Sequence, residues 1–191
     1  YKRASLIGRV FQDPLAGTCG SMTIEENMAL ALRRGRRRGF RRGVGAPERD
    51  LYRAALSRLE LGLEKRLTDP VGLLSGGQRQ SLTLLMATLR RPRLLLLDEH
   101  TAALDPKTAG LVMDLTRDLV EEHSLTTLMI THNMQQAIAF GHRLIMMHQG
   151  RVILDFNQED KQRLTVRDLI QQFHNAAPEL AHQLSDRLVL A

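Results

Sequence analysis

The stretch Leu74-Ser75-Gly76-Gly77-Gln78 is followed, 20 residues on, by Leu94-Leu95-Leu96-Leu97-Asp98-Glu99. In the first, a Gly-Gly pair opens a helix that Ser75 can cap, and the helix start offers backbone N–H groups to an anion. In the second, an apolar run ends abruptly in two carboxylates. Four consecutive leucines make a strand apolar on both faces, the pattern of a central parallel strand. A carboxylate at the C-terminal end of such a strand stands where α/β sheets bind ligands.

The neighbouring segments alternate in the same sense. Ile7-Gly8-Arg9-Val10-Phe11 reads as a strand closed by Asp13-Pro14, and a glycine-containing loop runs from Gly17 to Gly20. Thr23 and Glu26 have capping-box spacing ahead of Met28–Leu32, which predicts a helix start there. Pro47 starts a second helix with Leu51, Ala54, Ala55 and Leu59 at helical spacing. The helix capped by Ser75 runs to about Arg91, buries Leu82, Leu85, Met86 and Leu89, and ends before Pro92. Pro106 opens a helix with Leu111, Leu115 and Leu119 on one face, and Thr126–Ile130 reads as another buried strand. Leu144–Met147, Gly150 and Arg151–Leu154 form a hairpin, with Thr165–Phe173 and Glu179–Leu190 as final helices. Strands alternating with helices predict an α/β fold with a largely parallel sheet. Residues 20–70 read as a helical lobe, 71–155 as a core and 156–191 as C-terminal helices, all within one domain.

Composition narrows the class. The chain has 191 residues, 43% hydrophobic, 25% charged and 4% aromatic, ordinary for one globular domain. A single cysteine, Cys19, allows no internal disulfide and predicts a reducing compartment. No apolar run approaches the roughly 18 residues a bilayer span needs, so a cytoplasmic location is expected. The net charge of +6 is local: residues 33–53 carry nine arginines against Glu48 and Asp50, a net +7, leaving −1 elsewhere. Only Phe40 interrupts the arginines, so a stacking platform for nucleic acid is missing. A solvated loop, or contact with anionic lipid headgroups or an acidic partner surface, fits this segment better.

Asp98 suits Mg²⁺, directly or through a bound water, and Glu99 beside it can orient or deprotonate an attacking water. His132, after Leu128-Met129-Ile130-Thr131, can donate a hydrogen bond to a phosphate oxygen. Gln12 also ends a strand, where a neutral amide meets a metal or water. Each alone has a plain structural explanation.

Their order decides the matter. Gln12, Leu74–Gln78, Leu94–Glu99, Asp105 and Thr131-His132 resemble the Q-loop, signature, Walker B, D-loop and switch histidine of ABC-type ATPases. Leu97 to Pro106, with Asp98-Glu99 and Ala103-Leu104-Asp105, is similar to bacterial importer-type ATP-binding subunits. The resemblance implies a P-loop NTPase-like, RecA-type parallel sheet with an inserted helical lobe, and ATP and Mg²⁺ as ligands. It implies that Asp98 holds Mg²⁺, Glu99 is the general base, and His132 contacts the γ-phosphate. Gln12 would sense Mg²⁺ and the lytic water. Ser75, Gly76, Gly77 and Gln78 would close over the nucleotide of the opposite subunit in a homodimer, with Asp105 at that interface. Transmembrane permease subunits and a solute-binding protein would be the partners, nucleic acid would not, and the location would be peripheral on the inner face of the membrane.

Two departures stand out. His100 replaces the Pro most members carry after the Asp-Glu pair, and is expected to be a tolerated variant in a tight loop. More severely, no Gly-x-x-x-x-Gly-Lys-Ser/Thr occurs: Lys2, Lys65, Lys107 and Lys161 follow Tyr, Glu, Pro and Asp. In the family that loop precedes the Q-loop, so the domain's start, with its first strands, is expected to be missing and this polypeptide inactive by itself. The residues leave two alternatives open: an ABC ATPase working without a permease, or a shortened subunit lending its signature helix to a complete partner.

Overall fold

The computed structural model describes residues 2–35 and 43–176, which fold into two compact units divided between Ile130 and Thr131. In the first unit three parallel strands, β1 (Ile7–Val10), β2 (Leu94–Asp98) and β3 (Thr127–Ile130), lie in the order β1-β2-β3. The leucine-rich strand is thus central, as its two apolar faces predict. Register pairs Val10 with Leu97, and Asp98 with Ile130, so the C-terminal ends of the three strands stand level.

The helices are α1 (Ile24–Leu32), α2 (Ala46–Ser57), α3 (Gly76–Thr88) and α4 (Pro106–Glu122). Thr23 caps α1 as its spacing predicts: the Thr23 hydroxyl accepts from Glu26 N, and the Glu26 carboxylate accepts from Thr23 N at 2.8 Å. Between α1 and α2, Arg49 grips the carboxylate of Glu25 with two hydrogen bonds of 2.7 and 2.9 Å. That bond, more than any other cause, holds the Glu25 carboxyl below the usual carboxylate range. Ile24, Met28, Tyr52, Leu56, Leu63 and Val71 bury themselves completely against Leu82 and Leu85 of α3. Truncating one such leucine to Ala typically costs about 2–5 kcal/mol.

A second core lies under the sheet. Val10, Leu95 and Leu97 pack with Leu84 and Ala87 of α3, and with Leu119 at the end of α4. The opposite sheet face, set by the pleat and register, carries Arg9, Leu94, Leu96, Asp98, Leu128 and Ile130. Leu128 and Ile130 are 55% and 53% exposed. β3 is therefore not the buried strand its apolar sequence predicts, because helices of the described residues cover only one of its faces. Two helix expectations also change. α3 stops at Thr88 rather than near Arg91, and α4 buries Val112, Met113, Thr116 and Leu119 while Leu111 faces solvent.

The second unit contains α5 (Met134–Ala139), β4 (Leu144–His148), β5 (Arg151–Phe156), α6 (Gln158–Gln162) and α7 (Val166–Ala176). The hairpin turns through Gln149 and Gly150, both with positive φ (46° and 75°), the geometry of a two-residue turn that suits strand twist. Leu144, Phe156 and Leu169 form its core. The expected helix Glu179–Leu190 and most of the arginine segment, 36–42, lie outside the described residues. No helix among the described residues is long and apolar enough to cross a membrane.

Candidate functional site

The two carboxylates stand where β2 leaves the sheet. Asp98 is its last residue, half-buried, and Glu99 follows with φ +44°. A left-handed conformation at a non-glycine residue costs about 1 kcal/mol or more and persists only where surroundings over-determine it. Here the Glu99 N–H donates to Ile130 O at 3.0 Å, and Ala102 N donates to Glu99 O at 2.9 Å, so both sides of the residue are tied down. Arg9 of β1 reaches across to Asp98, Nη2 to Oδ2 at 2.9 Å, and its guanidinium lies 4.4 Å from the Phe11 ring centroid. Asp98 thus already holds a cation, and a hard carboxylate oxygen so placed fits a divalent metal ion as well.

Gln12 leaves β1 one residue after Phe11, at the same end of the sheet as Glu99, and is exposed. The chain turns at once, with Asp13 Oδ1 accepting from Leu15 N at 2.8 Å. The strand pairing brings Gln12, Asp98 and Glu99 to neighbouring strand ends.

Ser75 caps α3, its hydroxyl accepting from Gln78 N while the Gln78 side-chain oxygen accepts from Ser75 N, each at 3.2 Å. Ser75 and Gly76 are exposed, and Gly77 is buried. A side chain at Gly77 would force Thr108 of α4 to move, since a Cβ would stand 2.1 Å from Thr108 Cγ2. Asp105 caps that neighbouring helix, accepting from Thr108 N at 3.1 Å. Hydrogen bonds from Thr108 are the main reason its carboxyl lies below the usual range. The starts of α3 and α4 are therefore packed together.

His132 stands two residues beyond β3, in the second unit, exposed and just ahead of Asn133, the N-cap of α5. Thr131 beside it donates to Gln136 Oε1 at 3.0 Å.

Two side chains, Arg79 and Gln80, carry no signal of their own in the sequence, and a third, His100, shows only as a departure after the acidic pair. Arg79 fastens the turn that leads into α3 by donating to Val71 O, Gly72 O and Leu74 O. Gln80, fully buried, donates from Nε2 to Phe11 O at 3.0 Å and to His100 O at 2.6 Å. His100 is 2% exposed, and its Nε2 lies 3.0 Å from Thr116 Oγ1. Burial pushes its pKa down to about 4, so the ring is neutral near pH 7. The only local signal for any of these was the oddity of a histidine after the acidic pair.

The profile of the ABC transporter family matches residues 2–102. The chain is 48% identical over 176 residues to the tyrosine transport ATP-binding protein of Clostridioides difficile, covering 92% of this chain and 70% of that one. It is 46% identical over 113 residues to an aliphatic sulfonates import ATP-binding protein of Burkholderia cenocepacia, covering 59% of this chain and 35% of that one. The chain thus spans about a third of the length of that sulfonate relative. Among solved structures, cbiO1 of Clostridium perfringens, part of the ABC transporter complex cbiONQ, aligns with TM-score 0.68 and 25% identity over 95% of this chain and 68% of that one. A dimeric ATP-binding cassette bound to ADP and Pi aligns with TM-score 0.64 and 31% identity, over 80% of this chain and 62% of that one. The chain belongs to the ATP-binding subunits of the ABC transporter family.

Proposed function

We propose that the protein to which this chain belongs binds and hydrolyses ATP, and that it drives solute import through membrane permease subunits. The observation that carries this is the meeting of Gln12, Asp98 and Glu99 at neighbouring ends of a parallel sheet, with Glu99 held at φ +44°. Glu99 would take the proton of the attacking water on its carboxylate, and Gln12 would orient that water. Asp98 would hold Mg²⁺, which when bound neutralises charge on the phosphate oxygens. His132 would donate to the γ-phosphate. Ser75, Gly76, Gly77 and Gln78 would present the start of α3 to a nucleotide held by a second subunit, with Asp105 at the interface of that dimer.

This polypeptide by itself has no Gly-Lys phosphate loop, and is expected to show weak or no ATP binding and no hydrolysis. Likeness to the tyrosine transport protein over nearly the whole chain supports an amino acid as the solute, delivered by a solute-binding protein. The arginine-rich segment supports a position on the inner membrane face, near anionic headgroups.

The test is uptake. The complete subunit, assembled with its permease in vesicles, should accumulate labelled solute only with ATP and Mg²⁺. ATPase activity that needs no membrane partner and responds to ribosomes or nucleic acid would contradict the transport reading.

A further inference from the structure

We infer that Gln80 is a positioning residue that fixes the main chain beside Gln12 and beside Glu99 to the helix opening with Ser75-Gly76-Gly77-Gln78. The inference rests on the hydrolytic reading of those residues. One amide spans three segments that are far apart in sequence. Both Nε2 hydrogens are used, one on Phe11 O and one on His100 O, each carbonyl belonging to a residue next to a candidate catalytic group. Gln80 itself lies in the second turn of α3.

The energetics argue against simple core stability. Gln80 is 0% exposed, and its Oε1 is buried with no hydrogen-bond partner among the described residues. The cost of an orphaned buried oxygen offsets the net gain of the two donated bonds. An amide that is close to neutral for stability, at a site where an apolar side chain would also fill space, is explained by where it holds other groups.

α3 touches the same segments elsewhere. A Cβ at Gly17, in the loop that Gln12 begins, would stand 2.4 Å from Thr83 Cγ2, one turn along α3 from Gln80. The close approach of Gly77 to Thr108 ties α3 to the Asp105 cap. α3 is thus joined to both strand ends, and Gln80 is the polar link between them.

The experiment uses the complete subunit in its transporter, with Gln80→Met, which keeps length and volume but donates nothing, and Gln80→Asn, which keeps the amide but falls short of spanning both carbonyls. Both should melt close to wild type and bind a fluorescent ATP analogue within about twofold of it, while kcat falls about tenfold to a hundredfold, the scale of a small misplacement of reacting groups. Wild-type kcat in folded variants overturns the inference. So does a parallel loss of ATP affinity, melting temperature and kcat, or failure of both variants to fold, since each is the mark of a structural role alone. A wild-type transporter with no ATPase activity, or one that Glu99→Gln leaves active, would contradict the proposed function instead.

Discussion

The guanidinium of Arg9 and the carboxylate of Asp98, on adjacent parallel strands, are joined at 2.9 Å, with side chains 51% and 38% exposed. An ion pair this open contributes about 1 kcal/mol or less. Arg9 is thus a weak occupant of the oxygen proposed for Mg²⁺, strong enough to compete and weak enough to be displaced. Arg9→Leu is expected to lower the Mg²⁺ concentration for half-maximal ATP binding by the complete subunit two- to fivefold, about 1 kcal/mol or less. A Mg²⁺ titration of nucleotide binding reads this directly, and an unchanged midpoint would show that Arg9 does not compete.

The positive φ of Glu99 has a stability signature. At an ordinary exposed position Gly is less stable than Ala, because the unfolded chain gains freedom. At φ +44° the order should reverse, with Glu99→Gly more stable than Glu99→Ala by about 1 kcal/mol. Urea unfolding of the two variants measures the difference. Equal stability would mean that Glu99 relaxes out of the left-handed region.

Much of this geometry is visible in the residues, and the exceptions share a cause. The capping box at Thr23, the Ser75 cap, the leucine strand and the Gly150 turn are local patterns, and each forms where the residues predict. Leu128 and Ile130 read as core because apolar identity does not say whether a helix covers that face. α5 and α6 escape detection because helices of six and five residues hold too little periodicity. Gln80 contacts residues 69 and 20 positions away, and no periodic signal marks such a bond. The burial of His100 against Thr116 of α4 is likewise a contact between distant residues that its neighbours in sequence do not announce. The positions of Gln12, Asp98 and Glu99 were legible because strand ends are; the groups holding them were not.

The Glu25–Arg49 pair sets a pH dependence for the α1–α2 region. Arg49 lowers the Glu25 carboxyl in the folded state, so the folded chain binds fewer protons than the unfolded one near the ordinary carboxylate range. Its contribution is complete above the unfolded value near about pH 4.3, and is lost as pH falls toward the lower folded value. Glu25→Gln should cost about 2 kcal/mol at pH 7 and flatten the acid limb of the stability curve. A variant whose acid limb matches wild type would rule the pair out as its source.

The partly bare sheet face predicts self-association of this chain. Leu128→Ser with Ile130→Thr removes exposed apolar surface from β3 while leaving the partly buried Met129 of the other face in place. Sedimentation should show the wild-type chain forming larger species and the double variant shifting toward monomer, with melting temperature little changed. If the double variant unfolds instead, that face is packed rather than open.

The most direct test of the account is ATP turnover by Glu99→Gln in the complete subunit. Removing a general base while keeping size and hydrogen bonding should cut turnover at least about a hundredfold and leave ATP affinity intact. Persisting turnover, or loss of ATP binding with it, would contradict the assignment of Glu99 as the group that takes the proton.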